Sequence, residues 1–439
     1  MNDYMFGNYL FSERQKRGLS QTQLAEMLGV TNKAVSKWEN GRAKPSTDTL
    51  RRLASLFGTD VGELLKIREE RKQKSITKIV LTGGPCAGKT TGMSWIMNAF
   101  SSRGYRVLFV PETATELISG GVAPWTCSSN LDFQKCLVRL QLEKEKVFMQ
   151  AASTMEDEKI LIVCDRGVMD NKAYMNPVEF QAVLSAMNLD EVTLRDEYDG
   201  VFHLVTAAKG AEQFYTTEDN RARTETPEQA RVLDGKLIAA WTGHPHLRVI
   251  GNDTDFEVKM KRLIAEISAL LGEPEPLETE RKFLVEYPDT AWLESLPNCQ
   301  KVEIIQTYLL SPPGNEIRIR QRGINGSYTY YQTTKRPAGG ISRVEIERRL
   351  TQREYLELMM EADPDMHPIR KTRYCLTWEE QYFEIDVFPF WDDQAIVEIE
   401  LSDENTEIWF PDQLKVIKEV TADESFKNVS LAKKYPGKV

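Results

Sequence analysis

Histidine is scarce in this chain of 439 residues: it occurs only at His203, His244, His246 and His367. None stands with a cysteine at metal-ligand spacing, so a zinc site of the Cys/His kind is not expected. His244 and His246 lie in the loop-like run Trp-Thr-Gly-His-Pro-His, where a surface or packing role is expected. The cysteines (Cys86, Cys127, Cys136, Cys164, Cys299 and Cys375) are scattered and form no C-x-x-C pair. That argues against a disulfide framework or zinc knuckle and fits reduced, buried thiols in a cytoplasm. No apolar run reaches the roughly 18 residues that a membrane-crossing helix needs. The first residues show no basic segment leading into an apolar stretch, so no signal peptide is expected. Internal repeats and long low-complexity tracts are missing as well.

What is present divides the chain. The net charge is −10, unevenly spread: residues 1–75 hold 14 Lys/Arg against 9 Asp/Glu, or +5, leaving −15 on the other 364. A basic head on an acidic body points to nucleic acid as partner of the head alone. The reading is multidomain. Residues 1–67 form an all-α helix-turn-helix, 68–75 a charged linker, and 76–272 an α/β P-loop domain. Residues 273–439 form an α+β domain built on an antiparallel eight-stranded β-tunnel. The expected location is the cytoplasm, with no membrane partner; a homodimer is an expected assembly.

In the head, Ser20 caps a helix with Gln23 at its third position, Leu24, Ala25 and Leu28 form the buried stripe, and Gly29 ends it. Thr31 caps a second helix, Asn32 to Asn40, whose outer face carries Asn32, Lys33, Ser36 and Lys37. Two short helices about a glycine turn, the second presenting small polar and basic groups, suit the major groove. Leu24-Ala25, Val35-Ser36-Lys37-Trp38-Glu39-Asn40-Gly41 and Pro45 resemble the Cro/repressor-type (XRE) helix-turn-helix family. That resemblance implies double-stranded DNA as partner and Gln21, Asn32, Lys33, Ser36 and Lys37 as contacts.

In the centre, the β-prone run Thr77–Leu81 leads into Gly83-Gly84-Pro85-Cys86-Ala87-Gly88-Lys89-Thr90, which satisfies G-x-x-x-x-G-K-[ST] and precedes a helix pattern. Gly83 and Gly88 let backbone N–H groups close on phosphates, Lys89 reaches the β and γ phosphates of ATP, and Thr90 suits Mg²⁺. The apolar run Ile160–Cys164 ends in Asp165-Arg166, a carboxylate placed for Mg²⁺ followed by a base. This pair resembles the motif of small nucleotide and nucleoside kinases. Leu108–Pro111 ends in Glu112, which reads equally as a general base or as a loop charge or helix cap. Arg221 and Arg223 resemble a kinase lid over the transferred phosphate. The region resembles the AAA-labelled group of kinase-like P-loop proteins, with Gly83, Gly88, Lys89, Thr90, Arg166, Arg221 and Arg223 as nucleotide contacts.

In the last third, charges recur two residues apart: Glu278, Glu280 and Lys282; Arg318 and Arg320; Thr333 and Lys335; Arg343, Glu345 and Glu347; Lys371 and Arg373; Glu384 and Asp386; Glu398 and Glu400. On a strand such residues share one face, and the residues between are often Ile, Val or Phe. An apolar face packed outward against helices leaves the charges lining an interior, expected to be wet and filled by ions or a polyanion. Glu278-Thr279-Glu280-Arg281-Lys282 matches E-x-E-x-K. With Glu419-Val420-Thr421 and Phe426-Lys427-Asn428 it makes residues 277–434 resemble the CYTH family, the triphosphate tunnel metalloenzymes.

The CYTH resemblance implies triphosphate binding by Lys282, Arg318, Arg320, Lys335, Arg343, Lys371 and Arg373. It implies Mg²⁺ or Mn²⁺ on Glu278, Glu280, Glu345, Glu347, Glu384, Asp386, Glu398 and Glu400, with Glu398 and Glu400 nearest the chemistry, and Thr90 and Asp165 as the P-loop counterparts. The expected enzyme is a metal-dependent triphosphatase acting on tripolyphosphate or a nucleoside or thiamine triphosphate, joined to a P-loop ATPase or kinase domain. Glu112, Asp165, Glu398 and Glu400 are its expected catalytic residues. The alternatives are a transcriptional regulator that senses nucleotide or polyphosphate without turnover, and a class IV adenylate cyclase.

Overall fold

The structure, a computed structural model, describes residues 4–40, 43–59, 74–215, 226–273, 280–311, 315–339, 342–401 and 406–434, with the side chains of 336–339 and 342–346 left aside. Four helices open the chain: Tyr4–Lys16, Gln21–Leu28, Asn32–Glu39 and Thr47–Phe57. Ser20 accepts from Gln23 N and Gln23 reaches back to the Ser20 N–H, so the capping box forms, and Gly29 closes the helix in the left-handed region at φ 65°. Leu24, Ala25, Leu28, Val35, Trp38, Leu50 and Leu53 share one core.

The central region is a five-stranded parallel sheet in the order β2-β3-β1-β4-β5, formed by β1 (Ser75–Gly83), β2 (Arg106–Val110), β3 (Lys159–Asp165), β4 (Gly200–Leu204) and β5 (Leu247–Ile250). Its strands are apolar on both faces because both are covered. Val80, Ile160, Ile162, Cys164 and Val201 face a core with Trp241 of the helix Pro227–Trp241, while Ile79, Leu81, Leu161, Val163 and Phe202 face the other with Ile96 and Leu263. Parallel strands all end on one edge, which brings the carboxyl ends of β1, β2 and β3 together.

The last third is a nine-stranded sheet in the order β10-β9-β8-β7-β11-β12-β13-β6-β14. Its strands are β6 (Glu280–Glu286), β7 (Cys299–Tyr308), β8 (Glu316–Ile324), β9 (Ser327–Gly339), β10 (Ser342–Leu350), β11 (Ile369–Trp378), β12 (Gln381–Val387), β13 (Gln394–Glu400) and β14 (Val416–Glu419), and all its pairings are antiparallel. Strands β6 to β13 are the long ones; β14 adds a four-residue strand to the edge of β6, one more than the eight expected. The outer face is apolar as expected: Phe283, Phe383, Ile385, Val397 and Ile399 pack with Leu293 of the helix Thr290–Ser295, and Ile317 and Ile319 with Tyr355 of the helix Gln352–Leu358.

The two sheets are joined by buried charge. Asp196 is 1% exposed. It accepts from Arg195 Nε at 2.7 Å, Arg322 Nη1 at 3.4 Å and Thr329 Oγ1 at 3.0 Å. Arg322 also donates to Gly243 O at 2.8 Å, and Tyr382 Oη to His244 O at 3.0 Å. Burial pushes the Asp196 carboxyl up, but the Arg195 and Arg322 guanidiniums hold it at about 2. Removing one partner from such a group leaves the others buried and uncompensated. Asp196→Ala is therefore expected to destabilise the chain by about 3 kcal/mol, measured by urea unfolding followed through tryptophan fluorescence. A loss near zero would contradict the assigned role of this junction.

Candidate phosphate sites in the parallel sheet and the antiparallel sheet

At the carboxyl edge of the parallel sheet, the turn after β1 runs into the helix Lys89–Ser101. Gly88 starts that helix at φ 91°, and a Cβ there would stand 2.7 Å from the Phe256 ring, so only glycine fits. Lys89 Nζ lies 3.8 Å from Asp165 Oδ1. Burial and the adjacent Arg166 push the Lys89 ammonium below its ordinary value. Arg166 sits at φ 67°, a strained conformation for a residue with a Cβ, and its Nε donates to Glu112 Oε1 at 2.6 Å. Burial pushes Glu112 up, but Arg166 and Lys89 hold its carboxyl at about 2. Glu112 stands at the start of the helix Thr113–Ser119 and accepts from Thr115 Oγ1 at 2.7 Å, so in this state it is an arginine partner rather than an available base.

Burial raises the Asp165 carboxyl, and its Oδ1 is a buried oxygen without a hydrogen-bond donor among the described residues. Such an oxygen suits a hard divalent cation. Arg221 and Arg223 lie outside the described residues. Sequence reasoning missed Asp234: its Oδ1 accepts from Gly84 N at 2.8 Å, pairs with His203 Nε2 at 3.1 Å and accepts from Thr206 N at 3.2 Å. The phosphate loop is thus braced from the helix Pro227–Trp241.

The inner face of the antiparallel sheet carries the second set. Lys371 pairs with Asp386. Arg373 Nε reaches Asp386 Oδ1 at 2.7 Å, its Nη2 reaches Glu398 Oε2 at 2.7 Å, and its Nη1 pairs with Glu384. Lys282 Nζ lies 2.7 Å from Glu398 and 3.3 Å from Glu280. Arg320 pairs with Glu347, and Arg318 with Glu316 at 3.8 Å. The register sets Glu384 against Glu398 and Glu400 against Glu280 across paired strands. Like charges opposite one another repel, and the interleaved bases offset this.

Burial raises the Glu398 carboxyl, but Lys282, Lys371 and Arg373 hold it well below the usual range. Burial and Arg373 push the Lys371 ammonium down. Arg373 on β11 reaches Glu398 on β13 past the intervening β12, so the charges of these strands gather on one face.

The middle of the inner face, with Lys371 and Arg373 each 5% exposed and Asp386 0%, is tightly paired, because acids and bases neutralise each other there. The expected metal set meets a different arrangement. Among the described residues no group of three or more His, Cys, Asp or Glu is disposed to hold a metal, since Glu347, Glu384, Asp386 and Glu398 are engaged by arginine or lysine. Glu278 lies outside the described residues, as do the side chains of Arg343 and Glu345. The register still sets Glu345 opposite Lys335. Glu280 Oε1 is buried 3.3 Å from Lys282 Nζ, and Glu280 stands opposite Glu400, so this edge of the inner face offers hard oxygens.

In the head, Asn32, Lys33 and Lys37 are exposed along the helix Asn32–Glu39, with Ser36 half-buried beside them. Asn32 donates to Thr22 Oγ1 at 2.9 Å. Gln21 donates to Glu39 at 2.7 Å, and Glu39 is itself held by Arg14 Nε at 2.6 Å, a buried pair that fixes how the second helix stands and that periodicity alone does not reveal. His244 plays the expected packing role. Its Nδ1 accepts from His246 N at 3.0 Å, so its Nε2 carries the proton given to Tyr198 O at 2.9 Å, and burial pushes it down to about 3.

Residues 10–64 match the helix-turn-helix family model, and residues 78–259 match the model of an AAA domain. The head is similar to the SPbeta prophage-derived uncharacterized HTH-type transcriptional regulator YonR of Bacillus subtilis (strain 168), at 39% identity over 62 residues, 14% of this chain and 57% of that protein. It is similar to the HTH-type transcriptional activator BcrR of Enterococcus faecalis at 38% over 64 residues, 15% of this chain and 31% of that one. The chain thus spans under two thirds of these two regulators. It covers 69% of the ImmF control region 10 kDa protein of Bacillus phage phi105, 40% identical over 63 residues that make up 14% of this chain. Among solved structures, the inorganic triphosphatase NE1496 aligns over 36% of this chain and 97% of its own, at 30% identity and a TM-score of 0.26. No helix among the described residues is long and apolar enough to cross a membrane. Through residues 10–64 the chain belongs to the helix-turn-helix family, and it carries an AAA domain in residues 78–259.

Proposed function

We propose that the chain is a DNA-binding, ATP-binding enzyme. On this reading residues 1–67 bind double-stranded DNA, residues 76–272 form the P-loop domain, and residues 273–439 form a tunnel that hydrolyses a triphosphate such as tripolyphosphate with Mg²⁺ or Mn²⁺. The observation that carries the reading is the inner row Lys282, Lys371 and Arg373, the last two buried, held by Glu398, Asp386 and Glu384. A lysine below its ordinary value because of burial and a neighbouring arginine is relieved by an anion, and Lys371 is in that state.

In the tunnel, Arg318, Arg320, Lys335, Lys371 and Arg373 bind and align the phosphate chain, which replaces the carboxylates as their partner. Glu280 and Glu400, with Glu278, are the residues to hold a divalent cation, and that cation would supply Lewis-acid stabilisation and a more nucleophilic water. Closing the lumen around the chain keeps other water away. In the P-loop domain Lys89 binds the phosphates, Thr90 and Asp165 are the metal-holding pair, and Arg166 stabilises developing negative charge. A hydroxyl acceptor has to displace Arg166 before Glu112 can take its proton. The helix-turn-helix also supports a second reading, a regulator in which both phosphate sites bind without turnover.

Phosphate release from tripolyphosphate is expected to require Mg²⁺ or Mn²⁺ and to fall by about a hundredfold in Glu400→Ala. Tight binding without release across a panel of triphosphates would favour the regulator. Lys89→Ala is expected to abolish ATP binding while sparing tripolyphosphate hydrolysis; parallel loss of both would contradict two separate sites.

The Glu112 carboxyl, held down from its ordinary 4.5 to about 2, adds stability that is complete above about 4.5 and lost as pH falls through about 2. In Arg166→Gln, carbon-13 NMR should find Glu112 titrating near or above 4.5, and an unchanged titration would contradict the pairing. Deleting residues 1–67 should remove salt-sensitive binding to duplex DNA in a mobility-shift assay. Retained affinity would place the DNA surface elsewhere.

A further inference from the structure

Two side chains from the parallel-sheet region reach the charged face of the antiparallel sheet. Arg248, on β5, pairs with Glu400 on β13 and through Nε with Glu266 at 3.3 Å. His246, two residues earlier, brings its Nε2 to 3.1 Å from Glu347 Oε1 on β10. Glu347 is a half-buried carboxylate with its two oxygens divided: Oε2 takes Arg320 and the Thr333 hydroxyl at 2.8 Å, and Oε1 takes His246. Burial raises this carboxyl, but Arg320 and His246 hold it well below the usual range, so it stays ionised as a fixed counter-charge.

The position of His246 is set from behind. Its backbone N–H donates to His244 Nδ1, the buried His244 ring donates to Tyr198 O, and the Tyr198 hydroxyl is anchored by Glu145 Oε1 at 2.9 Å and Val168 N at 3.0 Å. A series of hydrogen-bonded residues therefore runs from the core of the parallel-sheet region through Tyr198, His244, His246 and Glu347 to Arg320. Gly243 O and His244 O, in the same loop, accept from Arg322 and Tyr382 and hold the two sheets in register there.

We infer that His246 is a positioning residue of the tunnel: it fixes Glu347, and through Glu347 the Arg320 guanidinium that meets a phosphate chain, so the P-loop domain forms one wall of the polyanion site. Arg248 neutralises Glu400 at the same wall. Without His246, Glu347 keeps one satisfied oxygen and one buried without a donor, its carboxylate is free to turn, and Arg320 loses its fixed orientation. The inference rests on reading the inner face as the site of a triphosphate.

The test is titration calorimetry of tripolyphosphate with Mg²⁺ into the full chain carrying Lys89→Ala, so that the P-loop contributes no signal. Adding His246→Ala is expected to weaken binding about tenfold. His246→Gln, which puts an amide N–H where the ring Nε2–H stands, is expected to restore it to within about threefold, with the unfolding midpoint equal in both variants. Binding in His246→Ala equal to its parent, or His246→Gln as weak as His246→Ala, would overturn the inference. A Lys371→Ala arm separates this from the underlying reading. Binding lost there but intact in His246→Ala sinks the positioning role alone, and binding intact in Lys371→Ala sinks the tunnel site itself.

Discussion

Charge taken out of water has to be matched, and the last third of this chain is organised around that requirement. One face of the antiparallel sheet buries lysine, arginine, aspartate and glutamate together, with Asp386 0%, Lys371 5% and Glu398 8% exposed. Unmatched, each would cost several kcal/mol. Matched, they hold each other in place: Arg373 touches three carboxylates on two strands, and Lys282 touches two. The apolar outer face and its covering helices follow from the same constraint, since a strand that turns its charges inward turns its Ile, Val and Phe outward.

The two candidate phosphate sites share one electrostatic plan on unrelated sheets. In each, a lysine largely shielded from water stands beside an arginine and a carboxylate: Lys89 with Arg166 and Asp165, Lys371 with Arg373 and Asp386. In each, burial and the arginine depress the lysine, and the carboxylate only partly offsets them. On the proposed reading, a phosphate chain would take the place of these carboxylates as partner of the lysine and arginine. The hydrogen-bonded loop Thr242–Arg248 links the regions that hold them.

Much of this was legible in the sequence where a physical demand is met by neighbouring residues. The phosphate loop needs glycines, a lysine and a following helix within a few positions, so it reads directly. The inner face reads from the two-residue period, which placed Lys371, Arg373, Glu384, Asp386 and Glu398 on one side. What did not read is set by contacts between distant residues. Arg14 and Glu39 are 25 positions apart, Gly84 and Asp234 150, His246 and Glu347 101. β14 escaped because its four residues are all exposed and show no alternation. The cost of burying charge is met by pairing acids with bases, and which acid takes which base is not set by the two-residue period.

The central claim is that the paired charges inside the antiparallel sheet exchange their carboxylate partners for a chain of phosphates. Crystals grown with tripolyphosphate and Mn²⁺ test it most directly, because the manganese anomalous signal and the phosphorus positions are independent. The account predicts a phosphate chain within hydrogen-bond distance of Arg318, Arg320, Lys371 and Arg373, with manganese on the side of Glu280 and Glu400. Phosphate found only at the loop around Lys89, with Lys371 and Arg373 still paired to Asp386, would contradict it.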